Sequence, residues 1–224
     1  MDINAKNDDS NHDVKSRILT ASEELFSENG FTKTSVRDIT KKAGCNVASV
    51  NYYFGNKDHL YLEVCRRNLI TLRDIRVNAI DRLIEEKKDA AKMADLVRVF
   101  VVAFLEPFSE DANGYKRLML LWREMIDPHL PKQAVFEEVI KPVSAAFLKA
   151  FETICPGVEQ HRVYLCMQSI VGQLAHITMA LQIYPGRNGV FYNTLDMDKY
   201  IDHVVEFSTA GIFKIAGKGQ SNEN

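Results

Sequence analysis

The chain lacks the features by which secreted, membrane and catalytic proteins usually declare themselves. It contains no run of about 18 apolar residues, so no membrane-spanning helix is expected. Its first thirteen residues, MDINAKNDDSNHD, are polar and acidic with no apolar stretch, so no secretory signal is expected. Cysteine is sparse: Cys45, Cys65, Cys155 and Cys166 form no C-x-x-C pair. Their spacing suits neither a zinc site nor a disulfide framework, and they read as reduced, buried or half-buried thiols of a cytoplasmic protein. No H-E-x-x-H, nucleophile motif, phosphate-cradling glycine loop or metal-ligand spacing is present. His161…Cys166 and Asp202-His203 are isolated pairs that read as polar surface residues. A protein that is not an enzyme, and needs no cofactor or metal, is therefore expected. Period-two alternation of useful length is also missing, which argues against strands.

What is present is a soluble composition with an uneven charge. The 224 residues are 46% hydrophobic and 26% charged, enough for one large domain or two small ones without staples. The net charge of −2 conceals an asymmetry. Residues 14–67 hold nine basic and six acidic side chains, while residues 1–13 and 68–224 are net acidic. A small basic module on a neutral body suits a polyanion partner.

Apolar spacing predicts an all-α chain. Val14, Ile18, Ala21 and Leu25 make one stripe of a first helix, about Val14 to Glu28, which Asn29-Gly30 ends. Ser35 with Asp38 has the form of a capping box, and opens a second helix that buries Val36, Ile39 and Ala43. Gly44 closes it. Asn46 caps a short third helix, about Val47 to Phe54, which buries Val50 and Phe54. Asn56 caps a long fourth helix with an apolar side from Leu60 to about Ile84. Further helices are expected near 90–106, 114–126, 132–153, 159–183 and 196–216, separated by Pro107, Asp127-Pro128, Pro131, Pro156-Gly157 and the Pro185–Gly189 stretch. Pro142 should kink the 132–153 segment. Residues 1–13 and 218–224 read as tails.

The segment from Thr34 to Phe54 has the make-up of a helix-turn-helix. Two short helices meet at a glycine turn, and the second has small or polar residues on its outer face. Ala48 allows close approach to bases; Ser49 and Asn51 can hydrogen-bond base edges. Lys41, Lys42 and Lys57 are candidates for phosphate contact.

TSVRDITKKAGCNVASVNYYFGNKDHLY resembles the DNA-binding region of the TetR family of bacterial regulators. Arg37, Ile39, Ala43-Gly44, Phe54, Lys57 and Leu60 fall in register with the family pattern. Asn46, Ala48, Asn51 and Tyr53 depart from it, so the operator does not carry over from other members. The resemblance implies that Ser35 binds phosphate, that Arg37 reaches a base or phosphate, and that Val47, Ala48, Ser49 and Asn51 face base edges. It further implies that Tyr52 and Tyr53 contact phosphate, sugar or a thymine methyl, and that Lys57 holds a phosphate. The fold implied is a three-helix DNA-binding domain over 14–58, joined by a long helix to a larger ligand-binding and dimerisation domain over 59–217.

In the C-terminal part, RLMLLWREMIDPHLP, SIVGQ and LDMDKYIDHVVEFSTAGI resemble the CecR-like branch of that family. A homodimer on double-stranded operator DNA is implied, most simply a repressor released by an unknown small-molecule effector. Candidate pocket residues are Phe104, Phe108, Met119, Trp122, Arg123, Gln173 and His176. Core packing accounts for the aromatic ones equally well, and Arg123-Glu124 reads equally as a structural ion pair. Candidate interface residues are Met167, Ile170, Val171, Leu174, Val204, Val205 and Ile212, with an intramolecular core as the other reading.

Overall fold

The structure, a computed structural model, describes residues 3–106, 112–126, 128–131, 133–183 and 196–217. Among these the chain forms nine α-helices and no strand: α1 (Ile3–Lys33), α2 (Val36–Ala43), α3 (Val47–Phe54), α4 (Lys57–Lys87), α5 (Met93–Leu105), α6 (Ala112–Ile126), α7 (Lys141–Ile154), α8 (Gln160–Ile183) and α9 (Met197–Ile215). No helix among them is long and apolar enough to cross a membrane. All four cysteines are free; Cys65, Cys155 and Cys166 are buried, so Cys166 is not the surface partner of His161 that the isolated pair suggested.

Three boundaries differ from the sequence reading. The first helix begins at Ile3 rather than Val14, so the backbone of 3–13 is helical where a tail was expected. Its expected end survives as a break: Gly30 adopts φ 78° and ψ 175°, a conformation that glycine reaches without strain. Around Pro142 the helical path is irregular: a π turn over Phe136–Ile140 runs directly into α7, whose second residue is Pro142, so the 132–153 segment is not one regular helix. The breakers at Pro107 and Pro185–Gly189, and the expected tail at 218–224, lie outside the described residues.

The chain divides into two compact units, and not at a single point near residue 58. One unit comprises 1–72 with 107–139, the other 73–106 with 140–224. The division runs through α4 and returns after α5, because α6 packs on α1. In the first unit α1 also contacts α2 and α3. Its core is Ile18, Phe26, Ile39, Val50, Leu60, Tyr61 and Leu118, each 2% exposed or less. Phe26 is fully buried and meets Tyr61 edge-on at 4.9 Å. Such side chains contribute about 1.5–3 kcal/mol each by burial.

In the second unit α5 packs against α7, α8 and α9, and α8 against both α7 and α9. Phe100 and Phe147 meet edge-on at 5.1 Å. Tyr200 donates to the Gln173 carbonyl at 3.0 Å, tying α9 to α8.

Candidate nucleic-acid interface

The α2–turn–α3 unit is held by local bonds that its sequence spells out. The Ser35 hydroxyl accepts from the Asp38 amide at 3.2 Å, and Asp38 Oδ2 accepts from the Ser35 amide at 3.1 Å. This is the reciprocal capping box. The Ser35 hydroxyl and amide hold the Asp38 carboxyl below its ordinary range. Gly44 ends α2 in the left-handed region (φ 64°, ψ 42°), where a side chain would be strained. Asn46 Oδ1 then accepts from the Ser49 amide at 2.9 Å and caps α3. Asn56 caps α4 in the same way through the His59 amide at 2.8 Å.

Val50 and Phe54 anchor α3, which turns the rest of the helix outward. Val47, Ala48, Asn51 and Tyr52 are exposed, and Tyr52 is 75% so. Four exposed side chains at i, i+1, i+4 and i+5 make one face of a helix that a major groove can admit. Ser49 and Tyr53 are half-buried at its edge. The Ser49 hydroxyl already donates to Asn46 Oδ1 at 3.0 Å, so it offers a base edge its lone pairs rather than its proton. Tyr53 packs edge-on against Tyr52 at 5.0 Å. Arg37 and Lys41 are exposed, as is Ser35.

Two of the lysines expected at phosphate are engaged within the protein. Lys42 Nζ lies 2.5 Å from Glu24 Oε2, bridging α2 to α1. Lys116 Nζ lies 3.3 Å from the other oxygen of Glu24. Lys42, chiefly, and Lys116 hold the Glu24 carboxyl below its ordinary value against the opposing cost of burial. Lys57 Nζ sits 4.1 Å from the Phe31 ring centroid, a cation–π contact worth about 0.5–1 kcal/mol that a phosphate would have to displace or share.

The sequence reading missed how α6 holds the other helices of this unit. Arg123 was expected at a ligand pocket or paired with Glu124. It does neither: Nε donates to the Ser27 carbonyl at 3.2 Å and Nη2 to the Glu28 carbonyl at 3.1 Å. These carbonyls lie in the turn of α1 just before its break at Gly30. A Cβ at Gly30 would lie 3.0 Å from Arg123 Nη1. Glu124 is buried and turns to α4. Its Oε1 accepts from the Tyr61 hydroxyl at 2.7 Å, and its Oε2 from the amides of His129 and Leu130 at 3.0 and 2.8 Å. Burial, with Cys65 and Glu124 nearby, raises the Tyr61 phenol well above its ordinary value.

The other expected pocket residues do not form one visible site. Phe108 lies outside the described residues. Met119 and Trp122 on α6 are half-buried in the first unit; His176 is exposed. Gln173 Nε2 donates to Ser208 Oγ at 3.2 Å, bridging α8 and α9. Phe104 is buried in the second unit beside Arg76, a residue the sequence reading did not single out. Clefts of about 300 and 260 Å³ in the first unit include none of the seven expected residues.

The expected interface residues are corrected too. Met167, Ile170, Leu174, Val204, Val205 and Ile212 are buried within the chain's own core, and Val171 is half-buried. The outward stripe of α8 is instead Leu165, Ser169, Gly172, His176 and Met179. On α9 it includes His203, Phe207, Ala210, Gly211 and Lys214, with Phe207 64% exposed.

A profile described as bacterial regulatory proteins, tetR family, matches residues 18–64. A second, described as tetracyclin repressor-like, C-terminal domain, matches 98–211. The HTH-type transcriptional dual regulator CecR of Shigella flexneri is 26% identical over 168 residues, 72% of this chain and 74% of that protein. The probable HTH-type transcriptional regulator YttP of Bacillus subtilis is 46% identical, over 47 residues only, 21% of this chain and 23% of that protein. Among solved structures, a TetR-family regulator from Mesorhizobium loti superposes with a TM-score of 0.64 over 92% of this chain and 97% of its own, at 18% identity; that likeness speaks to the fold alone. The capped helix pair, its outward face and the two matching profiles together make this chain a DNA-binding transcriptional regulator that belongs to the TetR family.

Proposed function

We propose that the protein represses transcription as a homodimer on a two-fold operator, and that a small molecule bound in its C-terminal part releases it. The observation that carries the DNA half is the exposed face of α3, Val47, Ala48, Asn51 and Tyr52, presented by two fully capped helices. Base edges are assigned to Val47, Ala48, Ser49 and Asn51, with Asn51 suited to a bidentate contact with adenine. Ser35, Arg37, Lys41 and Tyr52 are assigned to the backbone, with Tyr53 at the rim. One eight-residue helix reads too few base pairs for a useful operator, so two copies are required. The outward stripes of α8 and α9 suit that role. Gly172, Ala210 and Gly211 permit close helix approach, and Leu165, Met179 and Phe207 supply apolar area.

Release requires an effector that favours one dimer geometry over another by about 1–3 kcal/mol. The long α4 supports this reading, since it starts at Lys57 beside the reading helix and continues without a break to Lys87. The test is selection of a duplex from a random library by the full-length protein, followed by gel shift with Arg37→Ala and Asn51→Ala. Arg37→Ala should weaken all duplexes about equally. Asn51→Ala should cost about 1–3 kcal/mol at particular base pairs. No selected sequence, or selection unchanged in both variants, would overturn the site assignment.

A further inference from the structure

On α4 the buried stripe of Leu69, Leu72, Ile80 and Leu83 contains one charged member, Arg76, which is 5% exposed. Its Cζ lies 4.2 Å from the centroid of the Phe104 ring on α5. Nε and Nη2 are shielded from solvent and have no hydrogen-bond partner among the described residues. Burial draws the guanidinium down to about 10, which leaves it charged at neutral pH. A buried cation is costly unless it is paired and hydrogen-bonded, and a ring face returns only a small part of that cost.

The geometry says what pairing is open. Phe104 presents its ring to the guanidinium carbon, and two in-plane donors are left over. The two unpartnered nitrogens, Nε and Nη2, are neighbours on one edge of the planar group. That edge is the fork that matches the two oxygens of a carboxylate. Arg76 lies against Phe104 and between Leu72 and Ile80 on the buried stripe of α4, so an anion that reaches it should carry an apolar body behind its head. We propose that Arg76 is the anion-recognising residue of the effector site, and that the effector is an organic acid with a carboxylate on an aliphatic or aromatic body. The inference rests on the reading of the C-terminal part as a sensor and deepens it by naming the ligand class. It also moves the cationic contact from Arg123, which the α1 carbonyls occupy, to Arg76.

The test is calorimetric titration of the full-length protein with decanoate (below its micellar concentration) and 4-phenylbutyrate. Controls are the matching neutral amides, acetate and inorganic phosphate. At least one long acid should bind the wild type, and at least tenfold more tightly than its amide, acetate or phosphate. Arg76→Met should weaken that acid at least tenfold while its melting temperature holds or rises, because a buried cation has been removed. Arg76→Lys keeps the charge but loses the fork and should weaken it as well; this variant decides the matter if Arg76→Met does not fold. Acid affinity unchanged in either folded variant, an amide as tight as its acid, acetate or phosphate as tight as the long acids, or no binding of either acid at millimolar concentration would overturn the proposal. Gel shift without acid keeps the two readings apart. Acid binding that depends on Arg76 in a protein that selects no duplex would sink the operator reading alone. Duplex selection without acid binding would sink this inference alone.

Discussion

At the scale of single residues, the first unit is sensitive to charge at Glu24. Its carboxylate is shared by Lys42 of α2 and Lys116 of α6. Because the folded value is lowered, the pairing stabilises above the ordinary carboxylate range and is lost as pH falls below about 4.5. Lys42 is 41% exposed, so water screens the pair and about 0.5 kcal/mol is a reasonable size. Melting temperature followed from pH 7 to pH 3 should show a smaller fall for Glu24→Gln than for the wild type. Parallel curves would remove Glu24 from the account. These residue-scale features differ in how legible they are in the sequence. Ser35 with Asp38, Gly44 and Asn46 are local, with partners three or four positions away, and their types alone dictate the caps. Lys42 is not: an exposed lysine at the end of a helix looks the same whether it meets a phosphate or Glu24, eighteen positions back.

At the scale of elements, α1 is held by α6 through bonds that span more than ninety residues of sequence. Arg123→Ala removes both donors from the end of α1 and should cost about 1.5–3 kcal/mol, the range for charge-assisted bonds. The expected readout is a lower melting temperature together with weaker operator binding, since α1 backs both α2 and α3. A stable Arg123→Ala variant with undiminished operator affinity would show that α6 is a passive neighbour. Helix existence and the helix-turn-helix were legible because apolar spacing and caps act within a turn or two. The boundaries of 3–13 and of α7 were not, because acidic polar residues and an internal proline each fit two outcomes. The α8 and α9 residues were misassigned for a related reason. Both helices have more than one apolar stripe, and the sequence does not say which faces α5 and which faces outward. Arg76 carried a readable signal: it falls at the stripe spacing between Leu72 and Ile80, a position where a charge is out of place.

At the scale of the whole molecule, a chain of net charge −2 that binds DNA does so through its small basic region, and in the proposed homodimer two such regions would share the task. Operator affinity should therefore fall linearly on a log–log salt plot, with a slope of about −0.9 per phosphate neutralised. Affinity flat between low and physiological salt would contradict a phosphate-anchored complex. Phe207→Glu places a charge at the most exposed apolar side chain of α9. Sedimentation should show monomers, and operator affinity should drop at least tenfold because two half-sites are no longer engaged at once. A dimeric Phe207→Glu protein would return the interface to other faces of α8 and α9.

The only tryptophan in the sequence, Trp122, is half-buried on α6 beside the arginine that grips α1. The molecule thus has a built-in optical reporter at one position. Its emission comes from the helix that supports the DNA-reading unit, without a competing signal from another indole. Titrating operator or organic acid while watching that one band records whether α6 changes its surroundings, in an unlabelled protein and on the timescale of mixing.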